Sequence, residues 1–429
     1  MKKIALVSPH ANQHKLGDHP TLGLLYLAAV AEQLGNKVDI IEATPEKFRF
    51  DFSNHDVVGF SIPSASVYSV IQKVKNNSTF SKGSLMVAGG VHATAWPEEV
   101  FDDLGLDIVC VGEGEQTIKE VLAGLPKKNI DGIVYKDGDN FVRTKKRDRI
   151  IDLDNLPFPA RHLVPAENFV QDYSSLGDHK KTSYIITSRG CAGSCNFCAN
   201  HPGKTHYRSG ENVNKELELL KEKYGVKSFF IFDSRFSANK EKVKNICEAI
   251  KSLDMKWGFM CHVNDIDPEI LAAMAKAGCI ELEFGIESGS QRMLDAMNKR
   301  TTTEQNERAI RLAQEAGITV TTLMLHGYPG ENMESTQETL RFLKRTKPDR
   351  VFLNRFAPMP GSSIYHEMKK SGLAIPDLDE IIHVAGSRDS DDPEMDKMFA
   401  LLADYVEALP PATKPLFENR PSFDLDRSQ

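Results

Sequence analysis

Three cysteines share the run Thr187-Ser188-Arg189-Gly190-Cys191-Ala192-Gly193-Ser194-Cys195-Asn196-Phe197-Cys198. The apolar and β-prone residues Tyr184-Ile185-Ile186 precede it, so the run is predicted to be a loop at the end of a strand. A cubic [4Fe–4S] cluster usually takes four cysteine ligands. Three thiolates at Cys-x3-Cys-x2-Cys spacing would therefore leave one iron open to another molecule, as open catalytic metal sites do.

Two other interpretations of these cysteines compete with the cluster. Disulfides are disfavoured because the chain has seven cysteines in 429 residues, an odd number. In addition, Met1-Lys2-Lys3 leads straight into a predicted strand rather than into a signal peptide. A structural zinc ion with His201 as fourth ligand stays open from the spacing alone.

Length and composition are typical of a soluble enzyme. A chain of 429 residues is long enough for two or three domains with substantial cores. The net charge of -7 is spread over interspersed signs, without a basic face for nucleic acid or a polybasic membrane anchor. No apolar run approaches the ~20 residues that span a bilayer. We therefore expect a cytoplasmic protein with no nucleic-acid partner and no stable membrane association.

Residues 1–145 alternate short apolar strands with amphipathic helices, which is typical of a parallel sheet covered on both faces. Strands are predicted at 4–7, 38–41, 57–61, 85–90 and 107–112, and helices at 22–34, 65–75, 97–103 and 115–123. Such sheets bind ligands outside the carboxyl ends of their strands. Loops rich in glycine or serine follow three of those ends, at 59–64, 89–94 and 112–115.

Together these loops resemble the Rossmann-like cobalamin-binding domain found at the amino end of many radical S-adenosylmethionine (SAM) enzymes. The run Thr21-Leu22-Gly23-Leu24-Leu25-Tyr26-Leu27-Ala28-Ala29 matches the first helix of that domain, and 87–94 and 111–115 match its later loops. The resemblance implies cobalamin contacts from Ser61, Ser64, Gly89, Gly90, His92, Gly112, Glu113 and Gly114. The Asp-x-His-x-x-Gly run that supplies a histidine to cobalt is absent, and His92 is expected to support its loop or touch the corrin.

A second domain is predicted after a linker at 146–181, which follows a hairpin within 132–150 and contains the proline-punctuated segment 152–160. Between 182 and 372 the β/α alternation resumes. Strands are predicted at 184–188, 228–233, 256–262, 280–286, 319–326 and 350–357, with a helix between each pair. Six such units are too few for a closed eight-stranded barrel. The remaining residues, 373–429, are predicted to be a helical extension with a charged break at 387–393, a helix at 394–408 and a frayed, proline-rich end.

The cysteine run, with the aromatic Phe197 before its last cysteine, resembles the signature of the radical SAM superfamily, whose partial (β/α)6 barrel suits this alternation. The resemblance implies that Cys191, Cys195 and Cys198 hold a [4Fe–4S] cluster. It also implies SAM contacts from Phe197, Phe232, Asp233, His262, Glu287, Ser288 and Leu325. One departure is that Asp233-Ser234-Arg235 stands where the family has Gly-Gly-Glu.

Several of these residues also have structural interpretations. A carboxylate at Glu287, beside small residues at a strand end, can face a ligand, but with Ser288 it can also cap a helix. His262 can contact SAM or substrate, or it can be a satisfied core histidine. Leu325 begins a run that the family places beside adenine and that also contains an ordinary Pro-Gly turn.

The combined resemblance implies a cobalamin-dependent radical SAM enzyme that methylates an unactivated carbon of a small biosynthetic intermediate. No catalytic residue is assigned beyond the cluster ligands, and a flavodoxin or ferredoxin is the implied electron donor. One alternative is a non-methylating reaction of the same architecture, such as dehydration, cyclisation, ring contraction or carbon–carbon bond formation. A more remote alternative is a non-catalytic corrinoid or metal sensor. The fold does not fix the substrate.

Overall fold

The structure is a computed structural model that describes residues 1–10, 22–64, 67–171, 181–199, 203–372 and 393–409. Contacts between Cα atoms divide the chain into two units. Counting described residues only, the first unit contains 1–169 and 359–372, and the second contains 170–358 and 393–409. His201, the charged segment 387–392 and the proline-rich end beyond residue 409 lie outside the described ranges.

The first unit is built around a seven-stranded sheet. The strands of this unit are β1 (Lys3–Pro9), β2 (Lys37–Ala43), β3 (Asp51–Phe52), β4 (Val57–Ser61), β5 (Thr79–Phe80), β6 (Leu85–Gly89), β7 (Ile108–Cys110), β8 (Ile133–Asp137) and β9 (Asn140–Arg143). Of these, β3 and β5 pair with each other in a separate two-stranded sheet. Its helices up to residue 169 are α1 (Leu22–Gln33), α2 (Tyr68–Asn77), α3 (Val91–Ala95), α4 (Pro97–Leu104) and α5 (Glu115–Leu122). The strand order is β2-β1-β4-β6-β7-β8-β9, parallel from β2 to β7 and antiparallel at β8 and β9.

The period of two in β1 explains why both faces of this sheet are covered. Ile4 and Leu6 lie in one apolar cluster with residues of α1, whereas Ala5 and Val7 lie in another with residues of α2 and α4. The predicted hairpin forms as β8 and β9, and it extends the sheet beyond β7. The glycine loop after β6 differs from the expectation, because its residues Val91–Ala95 turn into the short helix α3.

The second unit contains a six-stranded sheet whose strands follow one another in chain order, every pair parallel. Its strands are β10 (Thr182–Ile185), β13 (Ser228–Ile231), β14 (Lys256–Cys261), β15 (Cys279–Glu287), β16 (Thr319–His326) and β17 (Arg350–Arg355), and a small separate ladder joins β11 (Ser188–Arg189) to β12 (His206–Tyr207). The helices between the sheet strands are α6 (Gly210–Tyr224), α7 (Lys240–Ile250), α8 (Pro268–Lys276), α9 (Gln291–Ala296), α10 (Thr303–Glu315) and α11 (Met333–Thr346). This arrangement confirms the predicted partial (β/α)6 barrel.

The amino ends of the barrel strands contain a buried ionic network. Glu281, near the start of β15, is fully buried and accepts hydrogen bonds from Thr321 Oγ1 at 2.7 Å and from Arg350 Nη1 at 3.0 Å. Breaking a buried pair of this kind destabilises a protein because it leaves a charge without a partner. The network therefore contributes to stability at the end of the barrel opposite to the predicted site.

The residues described after β17 contain two helices. α12 (Ser363–Lys370) belongs to the first unit, where Tyr365 packs edge-on against Trp96 at 5.5 Å between ring centroids. α13 (Pro393–Glu407) belongs to the second unit, where Asp396 accepts a hydrogen bond from Arg355 at 2.9 Å. Among the described residues, none of the helices has the length and apolar character needed to cross a membrane.

Close packing between α6 and α7 gives a test of the second unit. An alanine Cβ at Gly210 would lie 2.6 Å from the carbonyl oxygen of Asn245 and 2.9 Å from Cβ of Ala249. We expect Gly210→Ala to lower the free energy of unfolding by about 1–3 kcal/mol, measured by chemical denaturation, because overpacking forces the helices apart.

The matched control is Gly23→Ala, since a Cβ at Gly23 would meet no atom of the described residues within 4 Å. Alanine is also the better helix former, so this variant should be as stable as the wild type or slightly more stable. Equal stability of Gly210→Ala and wild type would contradict the close approach of α6 and α7.

Candidate active site

The cysteine loop leaves β11 and returns through β12, at the carboxyl end of the barrel strands. Cys191, Cys195 and Cys198 do not form disulfide bonds. The Gly193 N–H donates to Cys191 Sγ at 3.3 Å, and Cys191 O accepts from Gly203 N at 2.8 Å. The loop thus presents three thiols at the rim where such barrels place their chemistry.

The middle of this loop is tied to the segment that follows α9. Asn196 N donates to Met297 O at 2.9 Å, and Asn298 Nδ2 donates to Ser194 O at 2.7 Å. Burial raises the pKa of the Cys195 thiol, and the Lys299 ammonium opposes that increase. The thiols therefore sit beside a positive charge that favours their ionised, ligating form.

The donor set of this loop fits an iron–sulfur cluster, because three cysteine thiolates can each bind one iron atom and leave the fourth iron open. The zinc interpretation needs ligands that converge, and its fourth ligand, His201, lies outside the described residues.

Glu287 ends β15 in a conformation that few residues adopt. Its φ is +63°, and the pairing of β15 with β16 shifts register between Gly285 and Glu287. The carboxylate accepts a hydrogen bond from Lys299 Nζ at 2.7 Å, and both side chains are largely buried. Strained backbone of this kind is concentrated at functional sites.

Lys299 is a site residue that the sequence did not reveal. Burial lowers its pKa, but Glu287 and the thiols of Cys195 and Cys198 together raise the pKa above its ordinary value. Its Nζ also lies 5.8 Å from the ring centroid of Phe197. It follows α9 in a loop without a recognisable motif, so spacing alone could not place it between the acid and the thiols.

The helix-cap alternative for Glu287 and Ser288 has partial support beside α9. Ser290, the residue that precedes α9, makes no side-chain cap, but its N–H donates to the Ser288 hydroxyl at 3.1 Å. The same buried hydroxyl lies 3.1 Å from Thr339 Oγ1 on α11. SAM contacts stay predictions for both Glu287 and Ser288.

Asp233 is almost fully buried just after β13. Its carboxylate accepts hydrogen bonds from Thr187 N at 2.8 Å, Thr187 Oγ1 at 2.6 Å and Ser188 Oγ at 2.7 Å. Burial raises the pKa of Asp233 to about 6, although these hydrogen bonds act in the opposite direction. The contact of Asp233 with the SAM amine stays a prediction. The hydrogen-bond partners of its carboxylate lie at the start of the cysteine loop.

The other predicted SAM residues lie at the same rim. Phe232 is 57% exposed at the end of β13, which is unusual for a large apolar side chain and leaves it available to a ligand. Burial, together with the charges of Lys299 and Arg235, lowers the pKa of His262 to about 4, so its imidazole is neutral at pH 7. Its Nδ1 accepts from Asn264 N at 3.3 Å. Leu325 is half-buried near the end of β16.

Arg235, the last residue of the departure from the family's Gly-Gly-Glu, has a defined partner. Its guanidinium donates to Asp265 through Nε at 2.9 Å and through Nη2 at 2.7 Å. Such a fork is geometrically specific. The departure therefore places an ion pair at the carboxyl ends of β13 and β14.

The predicted cobalamin residues of the first unit follow three neighbouring strands, β4, β6 and β7. Gly90 has φ +115°, and a Cβ there would lie 2.5 Å from Ile62 O, so only glycine fits. Gly112 has φ +94°, and a Cβ there would meet no atom of the described residues. Gly90 thus allows close packing on Ile62, whereas no described residue fills the space within 4 Å of a Cβ at Gly112, which suits a ligand at the strand ends.

Some side chains of these loops support the loops themselves. His92 is buried, with its ring 5.0 Å from that of Tyr68 and 5.3 Å from that of Trp96. Burial lowers the pKa of His92 to about 4, so the ring is neutral at pH 7. Glu113 Oε2 accepts from Ile150 N at 2.7 Å. Ser61, Ser64, Gly89 and Gly114 lie in the same loops, and their predicted cobalamin contacts stay predictions.

Comparison with known proteins now decides the family. A model of the radical SAM superfamily matches residues 185–343, and a model of the B12 binding domain matches residues 13–122. An uncharacterized methyltransferase of Pyrococcus horikoshii is 30% identical over 363 residues, which cover 81% of this chain and 78% of that protein. The chain belongs to the radical SAM enzymes that carry a B12-binding domain.

Two further similarities agree with this radical SAM family. An anaerobic magnesium-protoporphyrin IX monomethyl ester cyclase of Cereibacter sphaeroides is 27% identical, over 85% of this chain and 63% of that protein. The structure of the radical SAM methyltransferase TsrM from Kitasatospora setae, with cobalamin and a [4Fe–4S] cluster bound, matches with a TM-score of 0.68 at 18% identity, over 88% of this chain and 79% of that one. The latter likeness supports the fold.

Family membership confirms several predictions from the sequence. The protein is an enzyme, and its cofactors are a [4Fe–4S] cluster, SAM and cobalamin. The individual residues that contact these cofactors are not tested by the comparisons.

The Glu287–Lys299 pair gives a test of SAM binding. We expect Glu287→Gln to weaken the binding of SAM to the anaerobically reconstituted enzyme by roughly tenfold or more, because a charge-assisted hydrogen bond is lost. Isothermal titration calorimetry measures this affinity. Glu281→Gln, in the same strand but at its amino end, should keep the wild-type affinity. An unchanged affinity of Glu287→Gln would contradict the assignment.

Titration of Asp233 gives a pH test. Its pKa is about 6 in the folded protein against an ordinary value of 3.8, so the folded state binds the proton more tightly than the unfolded state. The stability that Asp233 contributes is therefore greatest below its ordinary pKa and is lost as pH rises through about 6. We expect Tm of the metal-free Asp233→Asn variant, relative to wild type, to rise between pH 5 and pH 7.5. A difference independent of pH would contradict this assignment.

Proposed function

We propose that this radical SAM enzyme methylates an unactivated carbon of a small biosynthetic intermediate. The observation that carries the proposal is the rim loop with three cysteines outside any disulfide, in a chain that also has a B12-binding domain. The Pyrococcus relative is named a methyltransferase, and its similarity extends over most of both chains. In a methyl-transfer reaction, the B12-binding domain and the radical SAM barrel would both take part in the same turnover.

The cysteine loop supplies the metal ligands in this proposal. Cys191, Cys195 and Cys198 would hold the [4Fe–4S] cluster, and the rim residues beside them would hold SAM. When bound, the cluster and SAM supply hydrogen abstraction from carbon, and cobalamin supplies the methyl group. The protein's own task is to position these groups and to exclude water.

The ion pair beside the loop orients the SAM side of the site. Lys299 holds the Glu287 carboxylate in one position, at a strand end where its second oxygen is available to a ribose hydroxyl or an ammonium group. Fixing a ligand-binding carboxylate in advance lowers the cost of ordering it during binding. His262 would contribute a neutral ring at pH 7. Its Nδ1 accepts from Asn264 N, and a further hydrogen bond joins the ring to the Lys299 backbone.

The proposal also covers the electron donor and the cellular location of the enzyme. An electron donor of the flavodoxin or ferredoxin class would reduce the cluster, and the cytoplasm would be the location of the reaction. The interspersed charges of the sequence, -7 in total, agree with a protein that works in aqueous solution.

A second candidate is a radical reaction without methyl transfer. The Cereibacter relative is named a cyclase, and its similarity covers 85% of this chain. The same loop, ion pair and glycine positions would serve such a reaction, because fold and cofactors do not determine the product. The two candidates differ in the products they make from SAM.

Analysis of SAM products separates the candidates. The protein is reconstituted anaerobically with iron, sulfide and cobalamin, reduced, and incubated with SAM and candidate precursors. Methyl transfer predicts 5′-deoxyadenosine and S-adenosylhomocysteine in equal amounts, because each turnover consumes two SAM molecules. Formation of 5′-deoxyadenosine without S-adenosylhomocysteine would favour the second candidate.

Cysteine variants provide the control for this experiment. Cys195→Ala should lose most of its iron and all cleavage of SAM, whereas Cys247→Ala, buried on α7, should retain both. A wild-type protein that contains one zinc ion and no iron would refute both candidates.

A further inference from the structure

Asp233 holds the start of the cysteine loop through three hydrogen bonds. Its carboxylate accepts from the Thr187 N–H, from the Thr187 hydroxyl and from the Ser188 hydroxyl. One carboxylate oxygen accepts one of these bonds and the other accepts two. All three donors belong to the two residues that precede Arg189-Gly190-Cys191.

Arg208 also holds this segment. Its buried guanidinium donates from Nη1 to Ile186 O at 2.8 Å, and the Arg208 backbone N–H donates to Thr187 O at 2.9 Å. Arg208 itself is fixed by the fully buried Glu216 on α6. The chain at Ile186–Ser188 is thus held by an acid and a base, each buried and each bonded to its backbone.

We propose that Asp233 is a positioning residue that fixes the cysteine loop in its cluster-binding geometry through Thr187 and Ser188, rather than a contact of SAM. The inference rests on the proposed assignment of Cys191, Cys195 and Cys198 as cluster ligands. β10 ends at Ile185, and Ile186 and Thr187 leave the sheet before β11 begins. No strand pairing fixes the direction of the chain at this point, and Asp233 and Arg208 take over that task.

The position of Asp233 in the sheet explains why it contacts the start of the cysteine loop. Asp233 follows β13, and β13 pairs with β10. The carboxylate therefore lies next to the residues that follow the end of β10. A shift of Thr187 and Ser188 would be transmitted along β11 to Cys191, because the register of β11 with β12 is fixed by only two residue pairs. Loss of the carboxylate should therefore loosen the first ligand without removing any ligand.

The test measures how firmly the enzyme retains its cluster. Wild type and variants are reconstituted with iron and sulfide and challenged anaerobically with the iron chelator bathophenanthroline disulfonate. We expect Asp233→Ala to lose iron at least tenfold faster than wild type and to broaden the electron paramagnetic resonance signal of the reduced cluster. Asp233→Asn, which keeps only one acceptor oxygen for these three hydrogen bonds, should show an intermediate rate.

The matched control is Glu281→Ala, which removes a buried carboxylate from the same barrel at its amino end. It should lower Tm, yet change the rate of iron loss by less than twofold and leave the resonance signal unchanged. Glu281→Gln and Asp233→Asn form a milder pair if the alanine variants fold poorly. This comparison separates loss of positioning from general loss of stability.

A double-mutant cycle identifies the partners of Asp233. Thr187→Val combined with Ser188→Ala should speed iron loss much as Asp233→Ala does, and adding Asp233→Ala to that variant should have little further effect, because the residues act as one unit. Additive effects would overturn the inference. So would equal rates of iron loss for Asp233→Ala and Glu281→Ala. A wild-type protein that binds no iron would instead overturn the proposed function and, with it, this inference.

Discussion

The hydrogen bonds between the buried Asp233 carboxylate and Thr187–Ser188 set the point at which the chain leaves the barrel and enters the cysteine loop. Beyond that point the loop is stabilised by hydrogen bonds from separate parts of the chain, such as Gly203 N to Cys191 O and Asn298 Nδ2 to Ser194 O. The arrangement lowers stability in one respect, since burial raises the pKa of Asp233 and so disfavours its ionised form. Loss of stability in exchange for a fixed geometry is common where chemistry takes place.

The segment from Glu287 to Arg300 serves both sides of the candidate site. Three of its non-glycine residues, Glu287, Asn298 and Arg300, have positive φ values of 63°, 51° and 57°. Conformations of this kind cost of order 1–3 kcal/mol each and persist where the surroundings determine them. Here they allow Glu287 to contact Lys299 and Asn298 to contact the cysteine loop. The segment from Glu287 to Arg300 therefore positions both the acid and the loop that carries the thiols.

The fold could be predicted from the sequence because short apolar runs alternate with amphipathic segments along it. In β1 the run Ile4-Ala5-Leu6-Val7 is apolar throughout, which is typical of a strand covered on both faces, and the structure divides these residues between two apolar clusters. The cysteine motif could also be predicted, because its three residues lie close together in the sequence. The ion pairs were not predictable, because Glu287 and Lys299, or Arg235 and Asp265, are joined by loops whose course depends on tertiary packing. For the same reason the sequence could not show that the Asp233 carboxylate is occupied by Thr187 and Ser188.

The return of α12 to the first unit has a consequence for dissecting the chain. Tyr365 covers Trp96, and an alanine Cβ at Gly361 would lie 3.0 Å from Cβ of Ala95, so residues 359–372 are part of the packing around α3. A fragment that stops at residue 169 would leave Trp96, and the His92 ring behind it, without this cover. The corrinoid module is therefore discontinuous along the gene, and recombination could exchange it intact only by carrying two separate stretches of coding sequence.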